Sequence, residues 1–136
     1  MNDNVCAIRD ATCIAIMKIS KKFGPEWLRV QVVAKLTDLS TNGCYLKRIT
    51  ALKLIAQLVT MKDSKVTAIV LPILNQLAND SVPNVKFNVA LVYKKLQGQI
   101  PSADKSEVKK NLESLSGDSD SDVKFYANEA KAVLGY

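Results

Sequence analysis

Asn79-Asp80-Ser81-Val82-Pro83-Asn84-Val85-Lys86-Phe87-Asn88-Val89-Ala90 is a polar turn that leads through a helix start into an apolar helix face. A related stretch lies 38 residues on, at Asp118-Ser119-Asp120-Ser121-Asp122-Val123-Lys124-Phe125-Tyr126-Ala127. Another lies 38 residues back, around Gly43-Cys44-Tyr45-Leu46-Lys47-Arg48, and a fourth, Asp3-Asn4-Val5-Cys6-Ala7-Ile8-Arg9, stands 39 residues before that. Self-similarity at one period marks a chain of stacked units, none of which buries its apolar face alone.

The period holds in the apolar columns as well as in the turns. Val32/Val70/Val108, Leu36/Leu74/Leu112 and Leu39/Leu77/Leu115 each recur at 38 residues. Counted from the basic residue of each turn, Thr12/Ala15/Ile19, Ala51/Leu54/Leu58, Val89/Val92/Leu96 and Ala127/Ala130/Leu134 form a second set. Steps of three and four residues bury one stripe of an α-helix, and no segment alternates at period two as a strand would. The expected fold is all-α, an α-solenoid of antiparallel helix pairs of the HEAT type with about three and a half repeats. One array spans 1–136: residues 1–23 are the second helix of a partial repeat, and 25–61, 63–97 and 101–136 are full repeats.

Within that frame, Asp3 or Asn4 caps a helix over 4–22 whose apolar side carries Ile8, Ala11, Ala15, Ile16 and Ile19. Phe23-Gly24-Pro25 ends it, and helices over 25–39, 44–61, 65–78, 83–97, 101–115 and 121–134 follow. Pro72 is expected to kink its helix, because proline lacks a donor and its ring meets the carbonyl one turn back. The leading helix, without its pair mate, leaves an apolar edge uncovered, which is what a piece of a longer array would show. Trp27 reads as packing within or between repeats.

With 48% hydrophobic residues in 136, the chain can bury a core. No apolar run approaches the roughly 20 residues that span a bilayer, and no secretory leader pattern opens the sequence. Cys6, Cys13 and Cys44 are odd in number, lack metal-ligand spacing and have no histidine to join them. They read as reduced, helix-packing thiols of a cytoplasmic or nuclear protein. The net charge is +6, unevenly placed: residues 1–100 hold 14 basic and 6 acidic side chains, residues 101–136 hold 5 and 7. Such a balance suits either a solvated outer face or an acidic partner.

An enzyme is not expected. Histidine is absent, no glycine loop could cradle phosphate, no cysteine neighbours an obvious base, and no cofactor is implied. Asp118, Asp120 and Asp122 have the spacing of the first ligands of a calcium loop, but Val123 and Glu129 stand where its glycine and final glutamate belong. They read instead as helix-start residues near the positive end of the dipole. A basic module that binds nucleic acid or another acidic partner is the alternative function, and steep weakening by salt would mark it. The aspartates along the same edge and the scarcity of aromatics count against it.

Cys6, Tyr45, Pro83 and Ser121 each lie three residues before a basic residue, so they share one edge of the stack. Beside them Arg9, Arg48, Lys86 and Lys124 form a ladder, spaced by roughly 10 Å per helix layer. Each basic residue either pairs with an aspartate of its own or a neighbouring turn, or reaches a partner, or does both. Tyr45 offers a large area with one polar tip to a partner, or covers a neighbouring helix.

Asp3 to Ala11, Lys22-Phe23-Gly24-Pro25-Glu26-Trp27, Tyr45-Leu46-Lys47-Arg48, Val82 to Ala90 and Asp120 to Ala127 together resemble the scaffold (A, 65-kDa regulatory) subunit of protein phosphatase 2A. The likeness covers nearly the whole chain and maps onto the last three and a half HEAT repeats of that family. It implies a non-catalytic scaffold that docks the catalytic subunit of a serine/threonine phosphatase through the turns between paired helices. The repeats that receive a regulatory subunit lie outside this stretch, so none is expected on it; no membrane partner is implied. By motif position, Tyr45, Arg48 and Val82 fall on family contact positions. Cys6, Asn84, Lys86, Asp122 and Lys124 complete the implied partner-binding set. Cys6 stands where the family usually places a tyrosine, and Thr41-Asn42-Gly43 replaces its usual acidic turn.

Overall fold

The computed structural model describes residues 6–136, with side chains from Ala7 onward. The expected cap at Asp3 or Asn4 and the side chain of Cys6 lie outside the described residues. Those residues form an all-α solenoid of antiparallel helix pairs, with no strand among them. In order they are α1 (Cys6–Gln31), α2 (Val33–Ser40), α3 (Tyr45–Leu58), α4 (Ser64–Leu77), α5 (Pro83–Lys95), α6 (Lys105–Ser116) and α7 (Ser121–Leu134). A 3-10 turn, Val59–Met61, extends α3.

Gly24 divides α1 into two helices. Its φ of 85° lies where a side chain would be strained, and residues 6–23 and 25–31 are helical on either side. Pro25 then begins the first helix of a pair, its missing donor harmless in a first turn. That helix reaches Ser40 through a small irregularity at Val32, where φ is −117°. The hydrogen-bond ladder still crosses it: the N–H of Val32 donates to Leu28 at 2.9 Å and that of Leu36 to Val32 at 2.9 Å.

Pro72 does not interrupt its helix, and two expectations, the start of α6 and the packing of Cys44, need correction. α4 continues to Leu77 with no non-helical residue at Pro72. Pro72 and Ala68, one turn earlier, are both exposed, so the carbonyl that loses its partner faces solvent, and no break is needed. α6 begins at Lys105, because residues 102–104 form turns after Pro101. Of the cysteines, Cys13 is buried, but Cys44 is exposed at the N-cap of α3 and does not pack between helices.

α2 packs on α3, α4 on α5 and α6 on α7, while α1, α3, α5 and α7 stack in succession. The recurring columns meet in one core: Leu36, Leu74 and Leu112 join Ala51, Leu54, Val89, Ala127 and Ala130, all buried. Small residues early in α3 and α7 let neighbouring helices approach closely. Buried hydroxyls are satisfied within their own helices, Ser20 by the Ile16 carbonyl at 2.8 Å and Thr50 by that of Leu46 at 2.9 Å.

One polar bridge crosses the core. The fully buried Tyr93 of α5 donates its hydroxyl to Asn75 Oδ1 of α4 at 2.7 Å and accepts from Asn111 Nδ2 of α6 at 3.0 Å. One side chain thereby ties three helices from two successive pairs. Burial pushes its phenol far above the usual tyrosine range, so it stays a neutral donor.

Candidate partner-docking edge

Three turns between paired helices share one construction. Asn42, Asp80 and Asp118, at the 38-residue period, each accept from the backbone N–H two residues on: Cys44 at 3.0 Å, Val82 at 2.8 Å and Asp120 at 3.0 Å. These local bonds close the turn and aim the next helix. Asp120 adds a true N-cap, its Oδ1 accepting from Asp122 N and Val123 N at 2.9 and 3.1 Å. The aspartates of residues 118–122 therefore serve a helix start; among the described residues no cluster of acidic, cysteine or histidine side chains is gathered to hold a metal.

The basic ladder ties each turn to the following one. Arg48 donates from Nε to Asp80 Oδ2 at 2.6 Å and from Nη2 to Oδ1 at 3.0 Å, a planar fork on a carboxylate. Its Nη1 also reaches back to the carbonyls of Asn42 and Gly43, at 2.7 and 3.2 Å. The pair is nearly covered, with side chains 13% and 8% exposed. Lys86 makes the same step to Asp118. Both links span 32 residues, from a second helix to the next turn. Lys124, the equivalent residue of α7, is exposed. Arg48 and Lys86 thus brace the edge, while Lys124 presents its charge outward.

Hydrogen bonding sets the charge state of the second rung. The Asp120 N–H, and after it the Lys86 ammonium, hold the Asp118 carboxyl below the usual carboxylate range. A folded pKa below the unfolded one stabilises fully above the unfolded value, near 4, and this stability is lost as pH falls through the folded value. Asp118→Asn keeps the acceptor for Asp120 but removes the titration. We expect wild type to lose more stability than this variant below about pH 4. Acid-denaturation curves measure this, and parallel curves for the two proteins would rule out Asp118 as a source of acid lability.

The expected site residues divide by exposure. Tyr45, Asn84, Asp122 and Lys124 are exposed along the edge, and Val82, Arg48 and Lys86 are half-buried within it. Leu46 and Phe125, which the turn motif does not single out, are also exposed apolar surface there. Phe125 meets Tyr126 edge-on at 5.3 Å, and Tyr126 in turn covers Phe87 at 5.5 Å. Phe87 and Phe125 are equivalent positions, each following the basic residue. The first is covered by the next helix layer, and the second lies on the last layer present. The signal for Phe125 was its register with Phe87.

Behind the edge, the second helices line an open groove of about 450 Å3 between Asp10, Cys13, Ile14, Lys53, Ala56, Leu91 and Lys95. Lys53 bridges Asp10 at 2.7 Å and Lys94 bridges Glu129 at 3.3 Å, each tying neighbouring second helices. These pairs are more than a third exposed and add little stability. Burial, and secondarily Asp10, raise the Cys13 thiol above its ordinary range, so it is not a poised nucleophile.

No family model matches the chain. Over 125 residues it is 31% identical to the A-type regulatory subunit of protein phosphatase PP2A from Saccharomyces cerevisiae. The aligned stretch covers 85% of this chain and 20% of that protein. The chain therefore spans about a fifth of the length of the curated relative it matches. It is similar, through most of its own length, to part of a regulatory rather than a catalytic phosphatase subunit.

Proposed function

We propose that the chain is a non-catalytic scaffold that docks the catalytic subunit of a serine/threonine protein phosphatase along its turn edge. The likeness to a phosphatase regulatory subunit carries this reading. On this reading Tyr45, Val82, Asn84, Asp122 and Lys124 touch the partner, with the exposed Leu46 and Phe125 adding apolar area. By sequence register, Cys6 is assigned to the same set of contacts. Arg48 and Lys86 are positioning residues, held on Asp80 and Asp118, that set the spacing between rungs. A rigid row of turns lowers the ordering cost of binding, which favours affinity without any catalytic group. Because Arg48 and Lys86 are already engaged by carboxylates, the ladder is a poor phosphate track, which weighs against nucleic acid.

The test is a binding titration with a purified catalytic subunit of a phosphatase 2A-type enzyme. Tyr45→Ala combined with Lys124→Ala is expected to weaken binding about tenfold or more, with thermal unfolding unchanged. Equal affinity in that folded variant removes the edge assignment, and no binding by the wild-type chain removes the function.

A further inference from the structure

Between α4 and the start of α6 lies an open pocket of about 400 Å3 whose polar lining consists of carboxylates and carboxamides: Asn75, Gln76, Asn79, Asp104 and Glu107. No basic side chain among the described residues lines it, in a chain whose net charge is +6. Leu71, which is buried, and Pro72, which is exposed, belong to its apolar wall.

The carboxylates are uncompensated. Asp104 stands at the N-cap of α6, yet its side chain accepts no bond from that helix. Asp63 and Asp120, at the same position of α4 and α7, each accept from two backbone N–H groups. Among the described residues neither Asp104 nor Glu107 forms an ion pair. Lys105, next to Asp104 in sequence, is exposed and outside the pocket lining. Three residues apart, the two carboxylates share one side of the first turn of α6.

Asn75 adds a second requirement. It is 8% exposed, its Oδ1 holds the Tyr93 hydroxyl, and its Nδ2 has no acceptor among the described residues. Of the side-chain nitrogens and oxygens sealed from solvent there, only Gln99 Oε1 lacks a partner. Asn75 Nδ2 is therefore not sealed in the core, and it opens on the pocket that Asn75 lines. A buried donor fixed by Tyr93 calls for an acceptor. A matching ligand brings an acceptor to Asn75 and a cation to Asp104 and Glu107.

We propose that this pocket takes an arginine from an extended peptide segment of a partner protein. The main-chain carbonyl of that segment accepts from Asn75 Nδ2, the guanidinium donates to Asp104 and Glu107, and the methylenes lie on Leu71 and Pro72. A guanidinium presents its donors in a planar fork and has no acceptor, which suits carboxylates with the carboxamide oxygens of Gln76 and Asn79 beside them. A metal ion fits poorly. It would leave the Asn75 donor without an acceptor, and no cluster of metal-ligating side chains is gathered among the described residues.

The probe is a short blocked peptide of alanine and serine with one central arginine, titrated at constant ionic strength into the isotope-labelled full chain and followed by NMR. Saturable shifts are expected in the side-chain amide signals of Asn75 and in the backbone amides of Asp104 and Glu107. Asp104→Asn combined with Glu107→Gln is expected to weaken binding about tenfold or more, with thermal unfolding unchanged. The same peptide with lysine for arginine should bind more weakly, and magnesium chloride alone should leave the Asn75 signals in place. The proposal is overturned if the arginine peptide does not move the Asn75 side-chain signals, or if the double variant binds it equally. Equal binding of the lysine peptide, or the same shifts from magnesium alone, also overturns it. None of these readouts involves a phosphatase, so the outcome is separate from docking along the turn edge.

Discussion

Tyr93→Ala is expected to lower the free energy of unfolding by about 3–5 kcal/mol, the range for deleting a large buried aromatic side chain. Against a total of about 5–15 kcal/mol for a typical domain, that is enough to leave the stack marginal. Two costs combine. The fully buried ring leaves a cavity between α4, α5 and α6, and Asn75, also buried, loses the hydroxyl that satisfies Oδ1. Tyr93→Phe separates them: it keeps the ring, removes the bridge, and is expected to cost about 1–3 kcal/mol. Urea unfolding followed by circular dichroism measures both. A loss below about 1 kcal/mol for the alanine variant would show that the bridge does not couple successive repeats. A repeat stack is held by nearest-neighbour interfaces, so damage at this one should also let α6 and α7 melt before the rest.

Alkaline pH probes the same residue. Its phenol is raised in the folded state, so the contribution is complete below the unfolded tyrosine value of about 10 and is lost as pH rises above it. Wild type is therefore expected to lose stability above about pH 10 more steeply than Tyr93→Phe.

Asp80→Ala is expected to cost about 3 kcal/mol, at the lower end of the range for breaking a covered ion pair. The low end applies because Arg48 retains the carbonyls of Asn42 and Gly43. The variant also loses the acceptor for the Val82 N–H that closes the turn. Asp80→Asn keeps that acceptor and should be milder, by about 1–2 kcal/mol. A double-mutant cycle with Arg48→Ala isolates the rung, and strict additivity would show that the two side chains are not coupled. Arg48→Lys does not restore the fork, since a lysine cannot donate two parallel bonds to one carboxylate.

The repeat period made the fold legible early. Column matches such as Leu36/Leu74/Leu112 placed the core, and Pro25, Pro83 and Gly24 marked helix boundaries through backbone chemistry that acts locally. The turn edge was legible as a row of positions, because helical stacking in register puts equivalent residues side by side. Which member of each row faces outward was not. Arg48 and Lys124 occupy equivalent positions, yet the first is locked on Asp80 and the second is exposed. Pro72 lies inside a helix that stays unbroken, and the exposure of Pro72 and Ala68 on the outer side of α4 lets the carbonyl that loses its partner meet solvent.

By itself the sequence determined an all-α repeat, its register, its apolar columns and its turn chemistry, since each depends on residues within one helical turn or on a fixed period. Only the tertiary structure decided that the basic ladder reaches forward by 32 residues and that Tyr93 joins Asn75 to Asn111. Those depend on how far each helix layer is displaced and turned relative to the last. That displacement is set by the packing of many side chains at once, and no single stretch encodes it.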